Sequence, residues 1–187
     1  MTRKRLLQAV PMALFAAGML SMGVATSSCA TMDVSSHVER GADFTQYRTW
    51  EWGPADALPT GDPRLDANPF FKDHLEGAVE KALASNRLQR AAAGATPDLL
   101  IHYHANISQR FQVNEPDVNC SGNCQANVIE YEQGTIVIDV MDTKTNRLVW
   151  RGWAQDSVQD TLNNQDRMEK QIEEAVSKMF VRFPATH

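Results

Sequence analysis

The sequence predicts an α+β fold, a two-layer sandwich in which a mixed, mostly antiparallel sheet carries two helices packed on one face. Three observations predict it. Short stretches at 34–38, 49–52, 99–107, 135–141 and 148–155 alternate apolar and polar residues, the period-2 pattern of half-buried strands. Two longer stretches, opening at Asn68 and Asn164, repeat apolar residues at helical spacing. Each helix has a single apolar stripe, and laying both on one sheet face leaves the least apolar surface uncovered. The element order is ββαβββα.

Val34, Ser36 and Val38 point one way in the first strand; Phe44, Tyr47 and a second strand Thr49–Trp52 follow. The Pro/Gly/Asp-rich stretch from Gly53 to Asp66 reads as a loop. Asn68-Pro69 opens the first helix, because Asn accepts from free backbone amides and Pro suits the first turn. Its stripe is Phe71, Leu75, Ala78, Val79 and Ala82, and Asn86 is the expected left-handed cap. Pro97-Asp98 begins a strand with Leu99, Ile101, Tyr103, Ala105 and Ile107 on one face and Leu100, His102, His104 and Asn106 on the other. A polar connection spans Asn114 to Asn127. The clearest hairpin pairs Thr135–Met141 with Leu148–Gln155 through Thr143-Lys144-Thr145-Asn146. Asn164 caps the last helix, whose stripe is Met168, Ile172, Ala175, Val176, Met179 and Phe183, and Pro184 stops it.

The motifs Asp43-Phe44-x-x-Tyr47-x-Thr49-x-x-Trp52, Pro97-Asp98-Leu99-Leu100-Ile101, Tyr103-His104, Gly134-Thr135-x-Val137-Ile138-Asp139, Leu148-Val149-Trp150-Arg151-Gly152 and Phe183-Pro184 occur in one order across the chain. This set resembles the bacterial lipoprotein family called domain of unknown function 4136. The resemblance implies an envelope lipoprotein with a mixed α/β domain and no established catalytic activity. The chain departs from the family pattern in Asn86 and Asn146, where glycines are usual, and in its Cys120/Cys124 loop. Both asparagines tolerate positive φ.

The N-terminus reads as an address. Arg3, Lys4 and Arg5 precede an uncharged run from Leu6 to Ala25, the layout of a secretory signal. Thr26-Ser27-Ser28-Cys29 resembles a bacterial lipoprotein cleavage box, with Thr26 where the pattern prefers Leu. The expected organisation is a lipoprotein-type signal over 1–28, a lipidated Cys29 with a short tether over 29–33, and one domain over 34–187. Cleavage after Ala30, or an uncleaved anchor, are the alternatives. If Cys29 is lipidated, the resemblance implies thioether- and amide-linked acyl chains, palmitate among them, which hold a protein on a membrane effectively permanently. Ala30 after the cysteine matches the pattern sent to the outer membrane, so the expected location is its periplasmic face. The soluble periplasm is the alternative.

Charge bounds the partners. The chain has 18 basic and 23 acidic residues. Removing Arg3, Lys4 and Arg5 leaves 15 basic against the same 23 acidic residues, a formal −8. Neither nucleic acid nor anionic lipid is an expected partner of such a surface. The membrane, through the lipid anchor, and an envelope protein are the expected partners, and the oligomeric state is left open.

Candidate sites are few. With Cys29 committed to lipid, Cys120 and Cys124 remain as a pair in an oxidising compartment, a disulfide candidate worth at most roughly 2 kcal/mol for so small a loop. A redox or metal site is the functional alternative, although three intervening residues do not match the usual two. His102 and His104, at i and i+2 on a strand, point the same way and are the weak metal candidates, as against two half-exposed histidines on a wet face. Placing Asp142 opposite Leu148 sets Val140 opposite Trp150, Ile138 opposite Gly152 and Ile136 opposite Ala154, and puts Asp139 against Arg151 on the reverse face; a one-residue slip is worse on both faces. That open face, with Glu51, His102, His104, Asp139, Arg151 and Trp153, is the candidate binding surface, as against a solvated face with a structural ion pair.

No G-x-S-x-G elbow, H-E-x-x-H, G-x-G-x-x-G or P-loop occurs in the sequence. Glu130 and Glu132 share a strand face with nothing to suggest burial, and Trp50 and Trp52 read as core residues more readily than as sugar-stacking ones. The expectation is a non-enzymatic interaction or structural module without a cofactor. A small-ligand or metal-binding lipoprotein using the His102/His104 face is the alternative, and a hydrolase with dispersed residues is the third class.

Overall fold

In the computed structural model, residues 32–54, 62–114 and 126–186 are described. Cys29, Cys120 and Cys124, and the expected signal and tether up to residue 31, lie outside them. The elements are β1 (Asp33–Val38), β2 (Thr49–Trp52), α1 (Pro63–Asp66), α2 (Pro69–Ser85), β3 (Gln89–Arg90), β4 (Leu99–Asn114), β5 (Asn127–Asp142), β6 (Arg147–Ser157) and α3 (Gln165–Phe180), with a 3-10 turn at Phe44–Gln46. One six-stranded sheet runs in the order β1-β6-β5-β4-β2-β3. Pairing is antiparallel from β1 through β4 and parallel for β4·β2 and β2·β3. The parallel pair needs a crossover, which α2 supplies. The predicted α+β class with a mixed, mostly antiparallel sheet is the observed one.

Local chemistry accounts for the element ends. Asn68 accepts from the Phe71 amide and Asn164 from the Arg167 amide, so both long helices start at the expected caps. Between α2 and α3 on one side and the sheet on the other, Leu75, Val79, Leu83, Ile101, Ile138, Val140, Trp150, Val176 and Met179 are buried in one core. Phe44, Phe180 and Phe183 close it with edge-on and stacked ring contacts, and Trp150 packs against both Phe180 and Phe183. Trp50 is buried, while Trp52 is half-buried with its indole N–H donating to Glu80 at 3.1 Å.

Five details differ from the expectation. Asp62 caps a single turn, α1, inside the stretch read as loop; its side chain accepts from the Arg64 amide and Pro63 sits in the first turn. The two-residue β3 adds a sixth strand, so the order has one more strand and one more helix than ββαβββα. Asn86 is not the left-handed cap: its φ is −89°, and Arg87 takes the turn at +64°. The amide of Leu88 donates to the Leu83 carbonyl at 3.1 Å, so the left-handed residue falls one position later than predicted. Phe183 lies beyond the end of α3, with Phe180 the last helical residue on the stripe.

The fifth concerns the strands. The predicted partners Val140/Trp150, Ile138/Gly152 and Asp139/Arg151 are opposite one another, but an irregularity between Val140 and Met141 places Asp142 opposite Arg147 and not Leu148. The strands also run further than their alternation suggested. β4 and β5 pair continuously from Leu99/Asp142 to Asn114/Asn127, well past Ile107 and Thr135. β6 accompanies β5 only as far as Gln133/Ser157, so the distal halves form a two-stranded ribbon.

Candidate functional site

Helices cover one face of the sheet, and the other face carries the candidate residues. Cross-strand pairing sets them in rows. His102, Asp139, Arg151 and His37 form one row across β4, β5, β6 and β1; His104, Val137, Trp153 and Ser35 form the next. Arg151 donates to Asp139 through Nε at 2.5 Å and through its terminal nitrogen at 2.6 Å, a bidentate pair. Asp139 is only 6% exposed even on this open face, while the Arg151 side chain is about half exposed. That hydrogen bonding raises the Arg151 guanidinium above its ordinary value. His104 Nε2 lies 4.0 Å from Asp139 Oδ2, so a protonated His104 adds a second cation to the same carboxylate. Trp153 stands beside them, half-buried.

Not all the predicted residues join that cluster. The Glu51 carboxylate turns to the sheet edge, where it accepts from its neighbour's amide, Trp52 N, at 3.0 Å and from Arg90 at 2.9 and 3.1 Å. The Arg90 hydrogen bonds hold the Glu51 carboxyl below the usual range. His102 shares the face but leans toward β2: a Cβ on Gly53 would come within 2.3 Å of its ring. The two histidines thus serve different neighbours, Gly53 and Asp139. Among the described residues no three His, Cys, Asp or Glu side chains come together as a metal-holding group.

His37 is a member of the row that the sequence reading left unplaced. Its signal was present: with Val34 packed against the core, the strand alternation turns His37 to the other face, and pairing β1 with β6 brings it opposite Arg151.

A second concave feature lies on the helix side. Where α1, α2 and α3 begin, an apolar groove with about 510 Å³ of empty space, part of it open to solvent, is lined by Met32, Leu65, Phe71, Ile107, Ile136 and Met168 among others. No helix among the described residues is long and apolar enough to cross a membrane.

The comparisons with known proteins agree with this architecture. A family model described as "Domain of unknown function (DUF4136)" matches residues 34–185. A crystal structure of a DUF4136 family protein from Bacteroides thetaiotaomicron is similar at 14% identity and a TM-score of 0.50, covering 81% of this chain and 95% of that one. A PDZ domain protein from Parabacteroides distasonis is similar at 13% identity and a TM-score of 0.50 over 82% of this chain; the match spans 36% of that longer chain. At such identities the likeness is one of fold. No curated protein matches the chain.

Proposed function

The chain belongs to the family described as domain of unknown function DUF4136, and from that premise we propose that it is a non-enzymatic lipoprotein of the outer membrane, facing the periplasm, whose open sheet face docks an envelope protein. The observation that supports this reading is the helix-free face with its bidentate Asp139–Arg151 pair, His104 and Trp153. Arginine and tryptophan are the residue types that dominate binding energy when a partner desolvates them, and a carboxylate that already holds the guanidinium in place lowers the ordering cost of contact.

Two measurements test it. Cys29→Ser is expected to abolish palmitate incorporation and to move the protein from the membrane to the soluble periplasmic fraction; unchanged labelling would remove the anchor. Crosslinking in intact envelopes is expected to capture a partner that Trp153→Ala combined with Arg151→Gln loses, with far-UV circular dichroism unchanged. An identical set of captured proteins for the folded double variant sinks the docking role of this face.

A further inference from the structure

The ribbon formed by the distal halves of β4 and β5 carries an apolar surface that the core does not use. Phe111 is 65% exposed, Val113 59%, Val128 57% and Ile129 43%. Phe111, Val113 and Val128 share one side, the continuation of the core face past the end of the helices, and Ile129 is on the other. Among the described residues seven large hydrophobic side chains are exposed, and five of them are these four and Phe70, on the first turn of α2 beside the groove. Among the described residues of the ribbon beyond Gln109/Glu132, Arg110 and Glu130 are the charged ones and offset each other, and the connection between the strands adds Glu115 and Asp117 and no basic residue; Glu132, at the ribbon's base, is paired with Arg64 at 2.7 Å. A cluster of exposed apolar side chains that the core does not use marks an interaction site.

The position of the chain's entry says with what. β1 starts near the base of this ribbon: Asp33 pairs with Gln155, Gln155 with Thr135 and Thr135 with Asn106, two rows before Ser108/Gln133, the last at which β6 accompanies β5. Met32 lines the groove with Ile107 and Gly134. Three residue steps separate Met32 from Cys29, a reach of about 10–11 Å when fully extended. The ribbon runs six residues past Ser108/Gln133, roughly 20 Å at strand rise. A bilayer holding Cys29 therefore lies within the ribbon's reach.

We propose that the β4–β5 ribbon is a second membrane contact beside the Cys29 anchor, its Phe111, Val113, Val128 and Ile129 side chains resting in the interface of a zwitterionic bilayer. The inference rests on the lipid-anchor reading given above. The absence of excess positive charge makes the contact one of apolar burial, independent of anionic lipid. It also restricts the orientation of the body, so that the tether and the ribbon together fix the sandwich over the membrane where a single tether leaves it to swing.

The test uses the full processed protein reconstituted in phosphatidylcholine vesicles with brominated acyl chains, wild type beside Phe111→Trp and Val181→Trp. Val181, 82% exposed, follows α3 and is not part of the ribbon. The emission added by Phe111→Trp is expected to be blue-shifted and quenched by the brominated chains, and that added by Val181→Trp to be neither. Protein that floats with the vesicles but shows equal, unquenched emission from both variants overturns the ribbon contact and leaves the anchor standing. If that protein also crosslinks as a dimer that Phe111→Asp abolishes, the apolar ribbon belongs to a second copy. Protein that does not float with the vesicles overturns anchor and ribbon contact together.

Discussion

Buried ionisable groups away from the open face tie the sheet to its turns, and they set how stability depends on pH. The Tyr47 hydroxyl donates to Asp142 Oδ2 at 2.7 Å, while Asp142 Oδ1 accepts the amides of Lys144 and Thr145 at 2.7 and 2.9 Å. Burial pushes the Asp142 carboxyl up, but the bonds from Tyr47 and the turn amides together hold it below its ordinary value. A depressed folded pKa contributes stability that is present above the unfolded value, near 3.9, and is lost as pH falls through the folded one. Tyr47 is the opposite case: burial first, then the Asp142 carboxylate, pushes its phenol up, so stability is full below about pH 10 and is lost as pH rises further. Asp142→Asn is therefore expected to cost about 1–3 kcal/mol at pH 7 in urea unfolding and to flatten the acid limb of the stability profile. An unchanged acid limb assigns it to other carboxylates such as Asp98, which burial raises but the Arg48 and Thr49 amides hold low. At this scale the Asp139–Arg151 pair was legible, because one correct register determines it. Glu51 was legible only as to face. Parity says nothing of χ angles, and the unpaired Trp52 amide at the short β3 edge draws the carboxylate sideways.

Turns separate what the sequence specifies from what it leaves to packing. Asn146 adopts φ of +52° in the β5–β6 turn, as a residue that tolerates the left-handed region should. After α2 the same logic selected Asn86, yet Arg87 takes φ of +64°, because Asn86 stays in the helix end with its side chain donating to the Ala82 carbonyl at 2.9 Å. A long side chain in that region costs roughly 1 kcal/mol that glycine does not incur. Arg87→Gly is accordingly expected to raise the free energy of unfolding by up to about 1 kcal/mol, read as a higher urea midpoint at unchanged slope. A lower midpoint means that the guanidinium makes a contact worth more than the strain. The long strands were less legible than the turns. Residues 108–114 and 127–133 are mostly polar, and their pairing with each other, not burial, makes them strands. Hydrophobic periodicity reports which face meets a core, and beyond Ile107 there is none to meet.

The molecule as a whole is a sandwich body with a projecting ribbon, and the two parts differ in what holds them. Core residues run along β4 from Leu99 to Ala105, with Ile107 partly buried against them, and end on β5 at Ile138 and Ile136. No residue of the ribbon beyond Gln109/Glu132 is buried in that core. A two-stranded hairpin is at best marginally stable alone, so the ribbon takes its order from the body and returns little to it. Replacing residues 111–130 by a short Asn/Gly turn is therefore expected to leave the body's unfolding free energy within about 0.5 kcal/mol of wild type, as for surface changes generally. Leu75→Ala, which empties a fully buried position between α2 and the sheet, is expected to cost about 2–5 kcal/mol in the same assay. The replaced segment includes Cys120 and Cys124, so any bond between them is removed with it and the body's midpoint is expected to stay unchanged. A large fall in stability on ribbon removal contradicts this division, because it makes the exposed Phe111 and Val113 part of the folding unit and not a surface kept for contact.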